Sequence, residues 1–324
     1  MTAAAPPPPR GGHATTSWQL AEGDVIVPGR RALRLLGGGR RHEAYLTWDE
    51  HLHALVVAKL LRPHQVREAA ARQALATEAA LLRELAHPLL LRSFGAVLDG
   101  PRPHLVLEHI EGPRLSTLIR RDGVAIEQLL PLGLEVVRLL RYLAAEEVVH
   151  LDIKPSNIIM AGRPRLIDLS VARRGRGFRL PGERARSSPL AFGEVTIALN
   201  APVGTDPYMA PEQCEPSRFG ELAPATDVWG LGATLFEALA GVPPFPPDGD
   251  RFPQLRAAPA PLPRHVPAPL AALVAGCLAP RPVDRPSLAQ LDEQLQAVVA
   301  RLPAPRLSRF RPGGAARLRG LEPG

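Results

Sequence analysis

The 324-residue sequence predicts an α+β fold in two lobes, a small β-sheet lobe carrying one helix and a larger, mainly helical lobe. Three observations carry this prediction. Short apolar or alternating runs broken by glycine fill the chain up to about residue 110, with a single long helix among them. Beyond residue 112 the apolar spacing moves toward 3.6 residues. Both ends are rich in proline and small residues or arginine and show no apolar period. The expected organisation is a disordered segment over 1–27, a folded domain over 28–302 with lobes at about 28–107 and 112–302, and a flexible Arg/Pro-rich tail over 303–324.

In the small lobe, "ALRLL" and "EAYLTWD" read as strands around "GGGRRH", and "HALVVAKLL" as a third, buried strand. Residues 66–86, "VREAAARQALATEAALLRELA", contain no glycine or proline, are rich in helix formers, and end before Pro88. "RSFGAVLD" and "HLVLEHI" complete the sheet. In the large lobe, "LLPLGLEVVRLLRYLAAE" has helical spacing, with Pro131 expected in its first turn, where proline is tolerated. "IIM" and "RLIDLS" are short strands around the turn "AGRP". "TDVWGLGATLFEALAG" is a helix with Thr226 as the expected cap and Gly241 as the stop. "PLAALVAGCLA" and "SLAQLDEQLQAVVARL" are two more.

The net charge of +7 is not spread over the domain. Residues 173–186 hold six arginines and one glutamate, and 303–324 hold five arginines and one glutamate. The remainder is slightly acidic, so a nucleic-acid partner is not expected. Cys214 and Cys277 form no CxxC pair, which suits a reducing, cytoplasmic setting. No run approaches the ~18 apolar residues of a membrane span. The N-terminus lacks the apolar stretch of a signal peptide.

The chain has 37 arginines and only two lysines, Lys59 and Lys154. Where arginine is the default cation, a retained lysine marks a place that needs a compact point charge, such as one facing a phosphate. Lys154 sits in "HLDIKPSN", beside His150, Asp152 and Asn157, and Asp168 follows at the end of a strand. So many ionisable groups in a buried strand–loop–strand point to a charged ligand. Oxygen donors at neighbouring strand ends can hold a divalent cation.

Taken with "VVAK" at Lys59, "DLS" at Asp168, "GTDPYMAPE" and "DVWGLG", this ordered set resembles the eukaryotic-type Ser/Thr protein kinase family, of the kind also found in bacteria, over roughly residues 28–302. The resemblance implies the bilobal protein kinase fold, ATP with Mg²⁺ (or Mn²⁺) as cofactors, and protein substrates with Ser/Thr acceptors. Lys59 would grip the α- and β-phosphates and pair with Glu78, the helix glutamate at the right distance from His87-Pro88; the alternative is an ordinary solvated glutamate. Asp152 would take or orient the acceptor's hydroxyl proton, and Lys154 would neutralise the transferring phosphoryl group. Asn157 and Asp168 would hold the metal. Thr205 would contact Asp152 and Lys154, Glu212 would pair with Arg285, and Asp227 would brace the catalytic loop. Gly37 and Gly39 would cover the phosphates, and the backbone from Glu108 to Ile110 would meet the adenine.

The sequence also departs from the pattern. His42 stands where a third loop glycine is usual, so "GGGRRHEA" could be only a turn. Leu169-Ser170 replace Phe-Gly, Leu151 replaces arginine, and 45 residues separate Asp168 and Glu212, counting both. The altered loop and "DLS" admit a non-catalytic pseudokinase serving as a nucleotide-sensing or docking module. A small-molecule phosphotransferase would share the His-x-Asp, Asn and Asp pattern but would not be expected to carry "MAPE" or "DVWGLG".

Leu151 generates a prediction. In many related kinases an arginine at this position is neutralised by a phosphate on the activation segment, which orders it. Leucine leaves no charge to neutralise, so activity should depend little on phosphorylation of that segment. Mass spectrometry of Ser187, Ser188, Thr196 and Thr205, followed by initial rates with and without phosphatase treatment, checks this. A loss of about tenfold or more, near 1.4 kcal/mol, would show that a phosphate switch operates.

Overall fold

A computed structural model describes residues 16–175, 202–245 and 251–301. The disorder expected before residue 16, the tail at 303–324, and most of the arginine-rich segment with Ser187, Ser188 and Thr196 lie outside the described residues. The chain forms the two lobes that the sequence predicts.

The small lobe is one antiparallel sheet in the order β1-β2-β3-β4-β6-β5. Its strands are β1 (Val25–Val27), β2 (Arg30–Gly38), β3 (His42–Asp49), β4 (Ala54–Leu61), β5 (Ser93–Val97) and β6 (His104–Glu108). Helix α1 (Ala69–Glu84) lies against the sheet and buries Ala71, Leu75, Glu78, Leu81 and Leu82 on one face. The glutamate in that apolar stripe is the exception that matters for the site.

The expected boundary at residue 28 is corrected by the sheet. Strand β1 precedes it, and Ile26 is buried with Ala32, Tyr45, Ala58 and Leu60. Trp18 and Leu20 pack on this cluster, and the Trp18 indole donates to the Leu61 carbonyl at 2.7 Å. The proline-rich first residues give way by residue 18 to large apolar side chains with sheet surface to cover.

The large lobe opens with α2 (Leu115–Arg121), a helix too short for a period to register in the sequence. Helix α3 (Ile126–Ala145) begins earlier than the apolar spacing indicates, so Pro131 falls in its second turn and not its first. Pro131 is exposed, and the Glu127 carbonyl that it deprives of a donor can be solvated. The paired short strands are β7 (Val148–Val149) with β10 (Arg173–Arg174), and β8 (Ile158–Ala161) with β9 (Arg163–Leu166). Two single-turn helices follow, α4 (Pro211–Cys214) and α5 (Pro216–Phe219). Helix α6 (Pro224–Ala240) is buried along most of its length and forms the lobe's centre, with α7 (Ala268–Cys277) and α8 (Leu288–Val299) around it. Thr226 is not the capping residue of α6. Pro224 starts the helix, Ala223 caps it, and the Thr226 hydroxyl accepts from the Ala223 N–H at 3.1 Å. Gly241 ends the helix with φ +77°.

One buried ion pair holds this lobe together. Arg285 donates to both oxygens of Glu212, at 2.6 and 2.8 Å, and neither side chain is exposed. Its remaining donors meet the carbonyls of Ala225, Ala279 and Pro280, so all five N–H groups are used. The guanidinium also lies 5.0 Å from the Trp229 ring centre. Arg285→Ala leaves a buried carboxylate without a partner and should lower the unfolding free energy by about 3–5 kcal/mol in a denaturant titration. Arg285→Lys should recover only part of that loss, because an ammonium cannot serve the carboxylate and three carbonyls together.

Candidate active site

Lys59 lies near the end of β4 and is buried under α1. Its ammonium donates to Glu78 Oε1 and Oε2 at 2.8 and 2.9 Å and to Asp168 Oδ1 at 2.7 Å. Burial alone would lower its pKa, but the charges of Asp168 and Glu78 outweigh burial and hold it above the ordinary lysine value. Asp168 is the converse: burial opposes its charge, yet Lys59 and the Ser170 N–H keep the carboxyl well below the usual carboxylate range. Glu78 also accepts from the Leu169 N–H at 3.2 Å, so α1, β4 and the segment after β9 meet at one cation.

The loop from His150 to Asn157 is held from below by α6. Buried Asp227 accepts from the backbone N–H of His150 at 2.7 Å and of Leu151 at 2.8 Å. Burial pushes its carboxyl up to about 7, and the two amides offset only part of that rise. Two successive amides can converge on one carboxylate when the chain turns left-handed between them, and Leu151 has φ +68°. Such a conformation costs a non-glycine residue on the order of 1–3 kcal/mol, so it persists only where contacts fix it. Gln213 adds another contact, donating to the Leu151 carbonyl at 2.8 Å and to the Val203 carbonyl at 2.7 Å. Below the loop, a Cβ on Gly230 would stand 3.1 Å from the Ile153 Cβ, so a larger residue there would press α6 and the loop apart by a few tenths of an ångström.

At the loop's surface, Asp152 accepts from Thr205 at 2.8 Å on one oxygen, and from Lys154 at 2.7 Å and Asn157 at 2.9 Å on the other. Lys154 also donates to Thr205. The Asn157 amide nitrogen is committed to Asp152, which leaves its oxygen as the possible cation ligand. Asp168, whose side chain is about a third exposed, has φ +74° and supplies the second oxygen donor. A site with few protein oxygens suits Mg²⁺, which keeps water and takes further ligands from substrate phosphates.

Gly37 and Gly39 lie at the β2–β3 turn. In the β3–β4 register Ala44 pairs with Lys59 and His42 with Leu61, which sets His42 on the sheet face of Lys59. Burial, then Lys59, lower the imidazole to about 3, so it is neutral. Glu108 ends β6. Its carboxylate is held by Arg165 at 2.5 Å and its N–H donates to the Arg92 carbonyl at 3.0 Å. Ile110 follows, packed at the margin of the main core. Gln213 and Arg165 carry no sequence signal that sets them apart, since glutamine and arginine are ordinary surface residues here.

A family model, the protein kinase domain, matches residues 30–295. The chain is 28% identical over 219 residues to the Serine/threonine-protein kinase PknB of Mycolicibacterium smegmatis, covering 65% of this chain and 32% of that protein. It is 26% identical over 294 residues to the Serine/threonine-protein kinase PknD of Chlamydia trachomatis, covering 82% and 31%. With Calcium-dependent protein kinase 9 of Oryza sativa it shares 30% over 256 residues, covering 74% and 41%. The matched region is thus about a third of the length of the bacterial relatives.

The Asp227 bridge makes a prediction of its own. Asp227→Asn keeps the shape but sets an amide N–H₂ against one of the two backbone donors. One buried N–H then lacks a partner, which should cost about 1–3 kcal/mol in the unfolding free energy. Amide exchange of His150 and Leu151 should accelerate in the variant relative to the α6 core.

Proposed function

The chain belongs to the protein kinase family, and on that premise we propose that it is a protein serine/threonine kinase, transferring the γ-phosphoryl group of ATP to Ser/Thr hydroxyls of proteins. The observation that carries this reading is Lys59, bonded at once to Glu78 and Asp168, across from Asp152 with Lys154 and Thr205. A pseudokinase has no need of this complete set, and nothing observed favours that alternative.

In this reading the adenine lies against the backbone from Glu108 to Ile110. The side chain of Glu108 is taken by Arg165, so that residue contributes main chain only. Gly37 and Gly39 let the loop backbone approach the phosphates. Lys59, freed from Asp168 but still oriented by Glu78, binds the α- and β-phosphate oxygens. Asn157 and Asp168 would hold Mg²⁺ (or Mn²⁺), which would supply positive charge against the phosphates. Asp152 accepts the proton of the acceptor hydroxyl as its oxygen bonds to the γ-phosphorus and the bond to the bridging oxygen breaks. Lys154 stands beside Asp152 and offsets charge on the transferring group. Thr205 fixes the carboxylate's orientation.

The partners are proteins bearing Ser or Thr acceptors. Among the described residues no helix is long and apolar enough to cross a membrane. The free, buried thiols of Cys214 and Cys277 fit a reducing compartment, so we assign the protein to the cytoplasm.

Lys59→Arg keeps a charge but not its compactness, and should lower the initial rate with a general protein acceptor on the order of a hundredfold. Asp168→Asn should abolish transfer while the circular dichroism stays that of a folded protein, and excess chelator should do the same to the wild type. Wild-type rates in either variant, or full activity in chelator, would overturn these roles.

A further inference from the structure

The turn between β2 and β3 is tied from behind by a residue outside every motif above. Arg62, immediately after β4, donates through Nε to the Gly39 carbonyl at 2.6 Å. Its Nη1 donates to the Thr16 carbonyl at 2.6 Å and to Glu43 Oε1 at 2.8 Å. Its backbone N–H meets the Arg41 carbonyl at 2.8 Å, so one residue grips the turn at two points. Gly38 is shaped to this arrangement: a Cβ there would stand 2.5 Å from the His42 carbonyl and 3.3 Å from Arg62 Nη2.

The clamp depends on a buried anion. Glu43 is 1% exposed and accepts from Arg62, from the Trp18 backbone N–H at 3.1 Å and from the Tyr45 hydroxyl at 3.2 Å. A buried carboxylate with this many donors fixes them in turn. Trp18 is held by the Leu61 carbonyl at 2.7 Å and by Arg102, whose guanidinium lies 5.2 Å from its ring centre. Residues 16–18 therefore strap the back of the sheet to the loop, and they precede the family match, which begins at residue 30.

We propose that Arg62 and Glu43, with Thr16 and Trp18, are positioning residues for the phosphate-covering loop, so that a segment ahead of the family domain sets the affinity for nucleoside di- and triphosphates. The inference rests on the kinase reading above. The physical need is visible in His42, which replaces a glycine and removes freedom from the loop. With that freedom reduced, the loop's resting position matters more, and Arg62 fixes it at Gly39.

Equilibrium binding of Mg-ATP, Mg-ADP and adenosine to the full chain tests this. Arg62→Met should weaken ATP and ADP about tenfold, the scale of one charge-assisted hydrogen bond, and leave adenosine within about twofold. Arg62→Lys should recover part of the loss, and Trp18→Phe, which keeps an aromatic ring but removes the indole N–H and part of the ring surface, should give a smaller shift in the same direction. The KM for ATP should rise more than kcat falls. Equal losses for ATP and adenosine would mean that Arg62 serves the fold alone, and unchanged ATP affinity would overturn the proposal outright. Should Arg62→Met fail to fold, Trp18→Phe decides by the same criteria. A wild-type chain that binds no ATP would overturn the kinase reading and this inference with it, whereas wild-type binding with unaffected variants overturns this inference alone.

Discussion

A single buried ammonium group ties the molecule's two lobes together. Lys59 is almost withdrawn from water, which alone would disfavour its charge, and it remains charged because two carboxylates stand within 2.9 Å. Those carboxylates come from different places: Glu78 from the buried face of α1, Asp168 from the chain after β9. Neither the strand nor the helix has reason to carry a buried charge unless the other is present. Removing one partner would strand charge in a low-dielectric site. The position of α1, the register of β4 and the path of the chain after β9 are therefore one constraint. The same constraint explains the lysine: a bulkier guanidinium does not fit between two carboxylates as a point.

A second constraint supports the first from below. Leu151 and Asp168, which flank the site on two neighbouring loops, both have left-handed backbone. Such conformations are unfavourable for side chains with a Cβ, so each needs contacts to hold it. At Leu151 they are the two amide bonds to Asp227 and the Gln213 bond to its carbonyl. At Asp168 they are Lys59 and the Ser170 N–H. The site is thus placed by groups that do no chemistry, and the rigidity of α6, secured by the Glu212–Arg285 pair, reaches Asp152 through Asp227.

Much of this is readable in the sequence, and the reason is chemical. Lysine among arginines, acids and an amide at strand ends, and glycines where backbone must approach are choices of residue type that carry information one by one. Glu78 is readable from its distance to His87-Pro88, and Arg285 from its place in "DRPS". Contacts made by common residues are not readable. Arg62 is one of 37 arginines, and Trp18 sits inside the segment over 1–27 that composition marks as disordered. Helix α2 is only seven residues long, which leaves no period to detect. Pro131 and Thr226 were displaced from their expected positions because helices begin where the first turn can be satisfied, not where apolar spacing starts.

Leu151 shows how these constraints bear on control. At 3% exposure it belongs to the core, so this position itself sets no charge beside Asp152 for a phosphate to neutralise. The segment that follows Asp168 is instead anchored at both of its described ends by contacts to the folded lobes. At the start, Arg173–Arg174 pair with β7 and Arg174 reaches Glu84 near the end of α1 at 2.7 Å. At the finish, Thr205 bonds Asp152, Gln213 bonds the Val203 carbonyl, and Glu212 is fixed by Arg285. The Arg174 contact acts on the helix that carries Glu78, six residues before Glu84, so it supports the Lys59 pair from the far end of the same rigid element. A partly exposed pair of this kind contributes about 1 kcal/mol or less by itself. Its effect comes from where it acts: on a helix already held by a buried ion pair, a small bias is enough to favour the assembled site. From opposite ends of the segment, these anchors hold Glu78 in its contact with Lys59 and Asp152 in its contact with Thr205.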